Sequence, residues 1–457
     1  MENITYRKPS EDFCVVNFKD MRLEKRLYTT VESMTRHSQS SILSGLGNRN
    51  DAKAFYSLLS NDKFSFDKLA LAAWKGTAER IKSSGVTEVL LIEDTTDVNL
   101  NGHKKTSNLG YCSEHVRGIQ THSCIATTTE GVPLGLLHQQ YHTREEPKST
   151  LSAAEKRARP IEERESFRWL KTARAAVSAL PQGVAPIIVC DREGDIYELF
   201  ADTVSIGASF VVRLSKDRVT TDSEHAIQQL RRTKACGEVE IAVPRDTKKG
   251  KAARTAKMEV AACSVAVSRT QYSNKELPKS IAVNLVRITE IGNSPEPIEW
   301  LLITNLPITT FEECMKIVNI YVQRWKIERF HYVLKSGCRA ERIQQRSYEK
   351  ILPVLLTLSV IAVYILAMTY IAREVPEALC DTFLEEDEWK ILYRLARRTK
   401  KSPTQPYSLK EAVSYLGELG SYKHSSSDGE YGAKAIWNGL LRLYDALDVV
   451  VRLMGQV

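Results

Sequence analysis

Apolar residues recur along this chain in three rhythms. Val89-Leu90-Leu91-Ile92 and Pro186-Ile187-Ile188-Val189-Cys190 are short unbroken runs, the pattern of strands buried on both faces. Each run stops at acid, Glu93-Asp94 after the first and Asp191 after the second, and the strands are predicted to end there. Residues 122–128 and 132–141 predict a hairpin with Glu130-Gly131 at its turn, and Phe210-Val211-Val212-Arg213 predicts another strand. From residue 216 to 300 the rhythm changes to alternation, with β-like runs at 238–243, 258–267, 281–289 and 300–304. That stretch reads as a β-rich insertion.

The third rhythm is helical. Leu23, Leu27, Val31 and Met34 make a stripe, with Arg22, Lys25, Arg26 and Arg36 around it, and a second helix is predicted near residues 51–60. Ser65 is placed to cap a helix over 66–83 that carries Leu69, Ala72, Ala73, Ala78 and Ile81, and another helix is predicted near 166–179. Residues 351–371 carry no charge over 21 positions, long enough to cross a bilayer. Pro353, Thr357, Ser359, Tyr364 and Thr369 within it, and the want of other such spans, favour a central helix buried in the protein, with no membrane involved. Residues 372–457 read as helical, with a basic run at Arg394, Arg397, Arg398, Lys400 and Lys401. Near the C-terminus Ile436, Trp437, Leu440, Leu443, Leu447 and Val450 form a stripe that fits either a dimerising helix or packing within one chain.

Length and charge narrow this picture only a little. At 457 residues the chain predicts two to four domains. Lys and Arg number 64 against 56 acids, a net charge of +8 that permits nucleic-acid binding without requiring it. Nine scattered cysteines with no CxxC pair argue for reduced thiols, and the N-terminal residues show no apolar signal region, so a cytoplasmic protein is expected. His138 and His142 fall on a strand-like segment with no third ligand near and read as ordinary hydrogen-bonded histidines. Two basic segments could touch a DNA backbone. One is the N-terminal helical module; the other is the loop bearing Arg245, Lys248, Lys249, Lys251, Arg254 and Lys257.

The richest stretch is Asn319 to Lys335, NIYVQRWKIERFHYVLK. Wound as one α-helix, it puts Tyr321, Arg324, Glu328 and Lys335 within about 60° of one another, beside an apolar stripe of Ile320, Ile327 and Leu334. A solvated helix face with i,i+4 pairing would give the same text. Two strand-end acids upstream change the balance. Carboxylates at the ends of buried strands are costly to desolvate unless paired or bound to a metal. Asp94, Asp191 and Glu328 are hard oxygen donors far apart in sequence, the type that divalent magnesium requires.

These residues resemble the DDE transposases of bacterial insertion sequences. The likeness is to the subgroup with a Y-R-E-K signature, to which the transposase of transposon Tn five belongs. The signature stands as Tyr321-x2-Arg324-x3-Glu328-x6-Lys335, and IEDTT, CDREGDI, FVVR and EWLLIT precede it in family order. The likeness runs from about residue 85 to 345. It implies an α/β fold: a ribonuclease-H-like mixed sheet (residues 69–371) carrying the β-rich insertion. A helical DNA-end-binding domain (1–68) and a helical dimerisation domain (372–457) flank it. It implies catalytic, metal-holding roles for Asp94, Asp191 and Glu328 with two magnesium ions, manganese substituting, for which Glu93, Glu193 and Asp195 are rival ligands. DNA contacts are implied for Tyr321, Arg324, Lys335, Arg213 and Trp300, the tryptophan stacking on a flipped base. The activity implied is cut-and-paste transposition on double-stranded transposon ends and target DNA, through a hairpin, in a synaptic homodimer. The alternatives are a nuclease of this fold without strand transfer and a non-catalytic DNA-binding inhibitor of transposition, such as a product started at Met21 or Met34.

Overall fold

A single ten-stranded sheet runs through the middle of the chain. Its strands are β1 (Glu88–Asn99), β2 (Tyr111–Ser113), β3 (Val116–Thr127), β4 (Pro133–His142), β5 (Ala185–Cys190), β6 (Ser209–Arg213), β7 (Gly237–Val243), β8 (Arg254–Ser268), β9 (Ser280–Glu290) and β10 (Glu299–Thr304). The computed structural model describes Tyr6 to Met454 except residues 7, 38–45, 47–48, 146–151, 153–154, 156–157, 244–253, 293, 295, 376 and 422–430. The order β4-β3-β1-β5-β6 is the ribonuclease-H-like core. β3 lies antiparallel to β1 and to β4, whereas β5 is parallel to β1 and β6 parallel to β5. The hairpin turns at Gly131, whose φ of +86° lies where a side chain would be strained.

The alternating stretch is not a separate body. β10, β9, β8 and β7 continue the same sheet from β6 as an antiparallel meander. Two members of the basic loop therefore change role. Arg254 and Lys257 sit in β8 and are spent on cross-strand ion pairs. Arg254 Nη2 donates to Glu290 Oε2 at 2.8 Å, and Lys257 Nζ lies 2.5 Å from Glu238 Oε2. Arg245, Lys248, Lys249 and Lys251 lie outside the described residues.

Helices cover both faces and both ends. They are α1 (Met21–Arg36), α2 (Arg49–Leu58), α3 (Phe66–Ser84), α4 (Phe167–Ala179), α5 (Tyr197–Ser205), α6 (Ala226–Arg232), α7 (Phe311–Val322), α8 (Trp325–Tyr332), α9 (Tyr348–Glu374), α10 (Glu386–Arg397), α11 (Leu409–Gly420) and α12 (Ala433–Met454). The stripe Leu23, Leu27, Val31 and Met34 is buried, which leaves Arg22, Lys25 and Arg26 on the exposed side of α1. Ser65 caps α3 by accepting from Lys68 N–H. The uncharged run became α9, whose most apolar window is 94% buried inside the protein. Four of its buried polar side chains are satisfied within the protein. Thr357, Ser359 and Thr369 donate to the carbonyl four residues back, and Tyr364 donates to Phe383 O at 2.6 Å.

The C-terminal stripe is also spent within the chain. Ile436, Trp437, Leu440, Leu443 and Leu447 are buried on α12, which packs on α11. Two glycines make that crossing close: a Cβ on Gly439 would stand 1.9 Å from Leu416 O, and one on Gly420 1.8 Å from Ala435 O. A dimer contact through α12 therefore has to use its other side, where Val449 is exposed.

Candidate active site

The acid that ends the first apolar run does not end a strand. β1 continues to Asn99, with Asp94 in its middle, because residues beyond the run keep pairing with β3 through Asn99↔Gly118. Its other neighbour does stop. The parallel pairing with β5 ends at Ile92↔Val189, so Asp94 stands where the sheet opens on one side. Asp191 follows the last residue of β5 and accepts from Glu193 N–H at 2.8 Å, capping a short 3-10 turn. Both aspartates thus sit at one opening although 96 positions separate them in sequence. This is the position at which parallel sheets place their chemistry.

The Y-R-E-K stretch faces this opening but is not one regular helix. α7 ends at Val322, Gln323 and Arg324 form a tightened turn with i→i+3 bonds, and α8 starts at Trp325. Residues Val333–Gly337 then widen into a π-helical turn. The tightening aims Arg324 inward. Its Nη2 donates to Glu328 Oε1 at 2.6 Å, and its Nη1 lies 3.9 Å from Asp94 Oδ2. Tyr321 is buried and meets Trp300 of β10 edge-on, ring centroids 5.5 Å apart. Arg324 lies over the Tyr321 ring at 5.8 Å. Arg213 at the end of β6 donates to Glu299 O at 3.1 Å, and its charge reaches Tyr321. Lys335 lies on the π turn, where its charge is felt by His331 and by Cys112 of β2.

Electrostatics ties the three acids together. The carboxyl of Asp94 is pushed up to about 7, first by burial, then by the negative charge of Asp191, with Glu328 adding to the rise. Thr95 N–H, which donates to Asp94 Oδ1 at 2.7 Å, and Arg324 oppose it. Among the described residues, no group of three or more His, Cys, Asp or Glu is gathered as a ready metal cage. Three acids without a cation repel one another, and here the Arg324 guanidinium stands among them. A group of hard oxygen donors held at that electrostatic cost fits a divalent cation.

The rival acids have other partners. Alternation puts Glu93 on the opposite face of β1 from Asp94. It is fully buried and bonded to His122 Nε2 at 3.1 Å, and burial holds its carboxyl well above the usual range. Asp195 is buried in an ion pair with Arg218 at 2.5 Å and accepts from the Ser215 and Lys216 amides. Glu193 points to Arg168 at 3.0 Å. His138 bonds Thr172 Oγ1 at 3.1 Å beneath α4, and burial lowers it to about 4.

Residues 86–365, well over half of the chain, match the family model described as Transposase DDE domain. This chain belongs to the DDE transposase family. In this transposase, residues 10–64 match the Transposase DNA-binding model and residues 360–451 the Transposase Tn5 dimerisation domain. It is thus a DNA-acting enzyme with a DNA-binding module and a dimerisation module, from a family that works with divalent metal ions. Among solved structures, a cryo-EM structure of a piggyBac transposase synaptic complex with hairpin DNA is similar at 9% identity, over 97% of this chain and 78% of that one, with a TM-score of 0.38.

The geometry places beside the candidate site a residue that periodicity did not single out. Trp325 is 58% exposed and lies under Arg324, 5.6 Å from ring centroid to guanidinium carbon. The available signal in the sequence was an aromatic directly after Arg324 and three residues before the candidate acid Glu328.

Proposed function

We propose that this transposase excises and inserts DNA by metal-dependent phosphoryl transfer at Asp94, Asp191 and Glu328. The observation that carries the reading is the shared field of the three acids, expressed in the raised Asp94 carboxyl and the Arg324 bridge from Glu328 toward Asp94. These are the side chains that would hold magnesium, or manganese in its place. A bound pair of such ions activates an attacking hydroxyl and stabilises the departing oxygen at phosphorus.

The chain's own residues bind and orient the DNA. Arg324 is a fork-shaped donor and Tyr321 a buried phenol at the same opening; both suit phosphate oxygens near the scissile bond. Lys335 and Arg213 extend that cationic track in opposite directions. Trp300, half-buried against Tyr321, offers its free face to an unstacked base. Cleavage of the end, hairpin formation, hairpin opening and joining to target DNA then use one site in turn. A synaptic homodimer brings two ends together. The likeness to the Y-R-E-K subgroup supports these finer steps.

The test is a plasmid bearing the DNA that flanks the protein's own gene, incubated with manganese and wild-type protein or Glu328→Ala. Cuts confined to two flanking ends, made by wild type alone while both proteins bind the ends, support the proposal. Equal cutting by both would overturn the assignment of Glu328. Binding without cutting by wild type would favour the inhibitor reading.

A further inference from the structure

We infer that Arg168 is a positioning residue that clamps together, from behind the sheet, the two chain segments carrying Asp94 and Asp191. It rests on the reading of those two carboxylates as metal-holding.

Arg168 belongs to α4, on the face of the sheet shared by Glu93, Thr95 and His122; Trp169 of the same helix meets His122 edge-on at 4.6 Å. α8 and Glu328 lie on the other face, with Asp94. The guanidinium spends its three nitrogens on three acceptors. Nε donates to Thr95 Oγ1 at 3.1 Å, Nη2 to Glu193 Oε2 at 3.0 Å and Nη1 to Glu165 O at 3.0 Å. Its first two partners matter most. Thr95 is the residue whose N–H donates to Asp94 Oδ1 at 2.7 Å. Glu193 is the residue whose N–H donates to Asp191 Oδ1 at 2.8 Å. One largely covered cation therefore touches both peptide segments that orient the two aspartates.

The position is where such a tie is needed. Backbone pairing between β1 and β5 stops at Ile92↔Val189, before either aspartate. Beyond it two like charges face each other with no ladder to hold their segments at a fixed spacing. Arg168 supplies the crosslink, and its planar fork can serve acceptors in different directions where a lysine ammonium could not keep the same geometry. The clamp is itself anchored. Gln140 Nε2 donates to Arg168 O at 2.8 Å. Thr95 Oγ1, having accepted from Arg168, has its proton free for His122 Nδ1 at 2.8 Å, and His122 Nε2 then donates to Glu93 Oε2 at 3.1 Å. A continuous polar chain thus runs from the sheet interior to the rim of the site.

The experiment uses the full-length protein and compares wild type, Arg168→Lys, Glu193→Ala and Asp94→Asn. Manganese binding is read by electron paramagnetic resonance of the free ion. Thermal unfolding and gel-shift binding of the flanking ends in calcium are followed in parallel. Arg168→Lys is expected to unfold and bind ends like wild type, yet to bind manganese at least fivefold more weakly, with cleavage recovering as manganese is raised. Glu193→Ala, at a largely exposed side chain, removes the other end of the tie with little risk to folding and is expected to weaken manganese about threefold. Wild-type manganese affinity in folded Arg168→Lys and Glu193→Ala, where Asp94→Asn has lost it, would overturn the clamp alone. Wild-type manganese affinity in Asp94→Asn would overturn the underlying site assignment, and the clamp with it.

Discussion

Arg324 and Glu328 form an ion pair at 2.6 Å across one helical turn, and the same guanidinium reaches toward Asp94 at 3.9 Å. The arginine stands among the acids as the positive charge of the metal-free site. Arg324→Ala is therefore expected to lower stability by about 1 kcal/mol without metal, a modest figure because Glu328 is partly solvated. Manganese should restore most of that loss, since the ion relieves the same repulsion. Thermal unfolding with and without manganese checks it; a loss that manganese leaves untouched would mean that Arg324 acts through packing instead.

The Asp94 carboxyl has a definite pH signature in the metal-free protein. Its folded value is about 7, above its ordinary value of 3.8, so the proton is bound more tightly in the fold than in the open chain. The contribution to stability is complete below pH 3.8 and is lost as pH rises through 7. At about 1.4 kcal/mol per pH unit it amounts to a few kcal/mol. Asp94→Asn should thus gain stability over wild type at pH 8 and lose the advantage near pH 4. Denaturant unfolding at the two pH values measures it.

Buried histidines act in the opposite sense. Burial lowers His138 to about 4 and His331 to about 3, against an ordinary value of 6.5. Both are neutral in the fold, and their stability is complete above pH 6.5. As pH falls from 6.5 the unfolded chain takes up protons that the fold refuses, at about 1.4 kcal/mol per pH unit for each histidine. His138→Gln should lower the midpoint of acid unfolding, read by circular dichroism, even if it costs some stability at pH 8 through the lost Thr172 contact.

Replacing Trp325 should separate DNA handling from folding. At 58% exposure its removal should change stability by less than about 0.5 kcal/mol. If it stacks on an unpaired base, Trp325→Ala loses about 1–3 kcal/mol of that contact. A 2-aminopurine placed at the transposon end would then show reduced unstacking on binding. Unchanged fluorescence would leave base stacking to Trp300 alone.

The α11–α12 crossing tolerates no side chain at Gly439, where an added Cβ would meet the Leu416 carbonyl. Gly439→Ala should force the two helices apart at a cost of about 1–3 kcal/mol. Differential scanning calorimetry would register it as a lower-melting C-terminal part. A neutral substitution would show that the helices can shift without loss.

Much of this was legible in the chain. Unbroken apolar runs marked β1 and β5, alternation marked β7 to β10, and Ser65 marked the start of α3. The likeness to the family pointed to Asp94, Asp191 and Glu328, and the structure brings their charges to bear on one another. Other features were out of reach of local pattern. The apolar run suggested that β1 ended at Asp94, but pairing with β3 carries it to Asn99. A smooth helix from 319 to 335 was the simplest winding, yet the chain tightens at Gln323–Arg324 and widens at Val333–Gly337.

What the sequence determines by itself is what depends on neighbours a few residues away: strand and helix periods, caps, turns, and which residue types are available for chemistry. Tertiary structure decides which acids share a field, because that depends on β1 and β5 lying parallel with their pairing cut short at Ile92 and Val189. It decides that Glu93 is buried against His122 behind the sheet and that Asp195 is held by Arg218, since burial and partners come from distant segments. It decides that the α12 stripe faces α11, and that Arg168, on a helix far from both aspartates in sequence, reaches the two segments that hold them. Charge and burial act through space, and only the folded chain sets those distances.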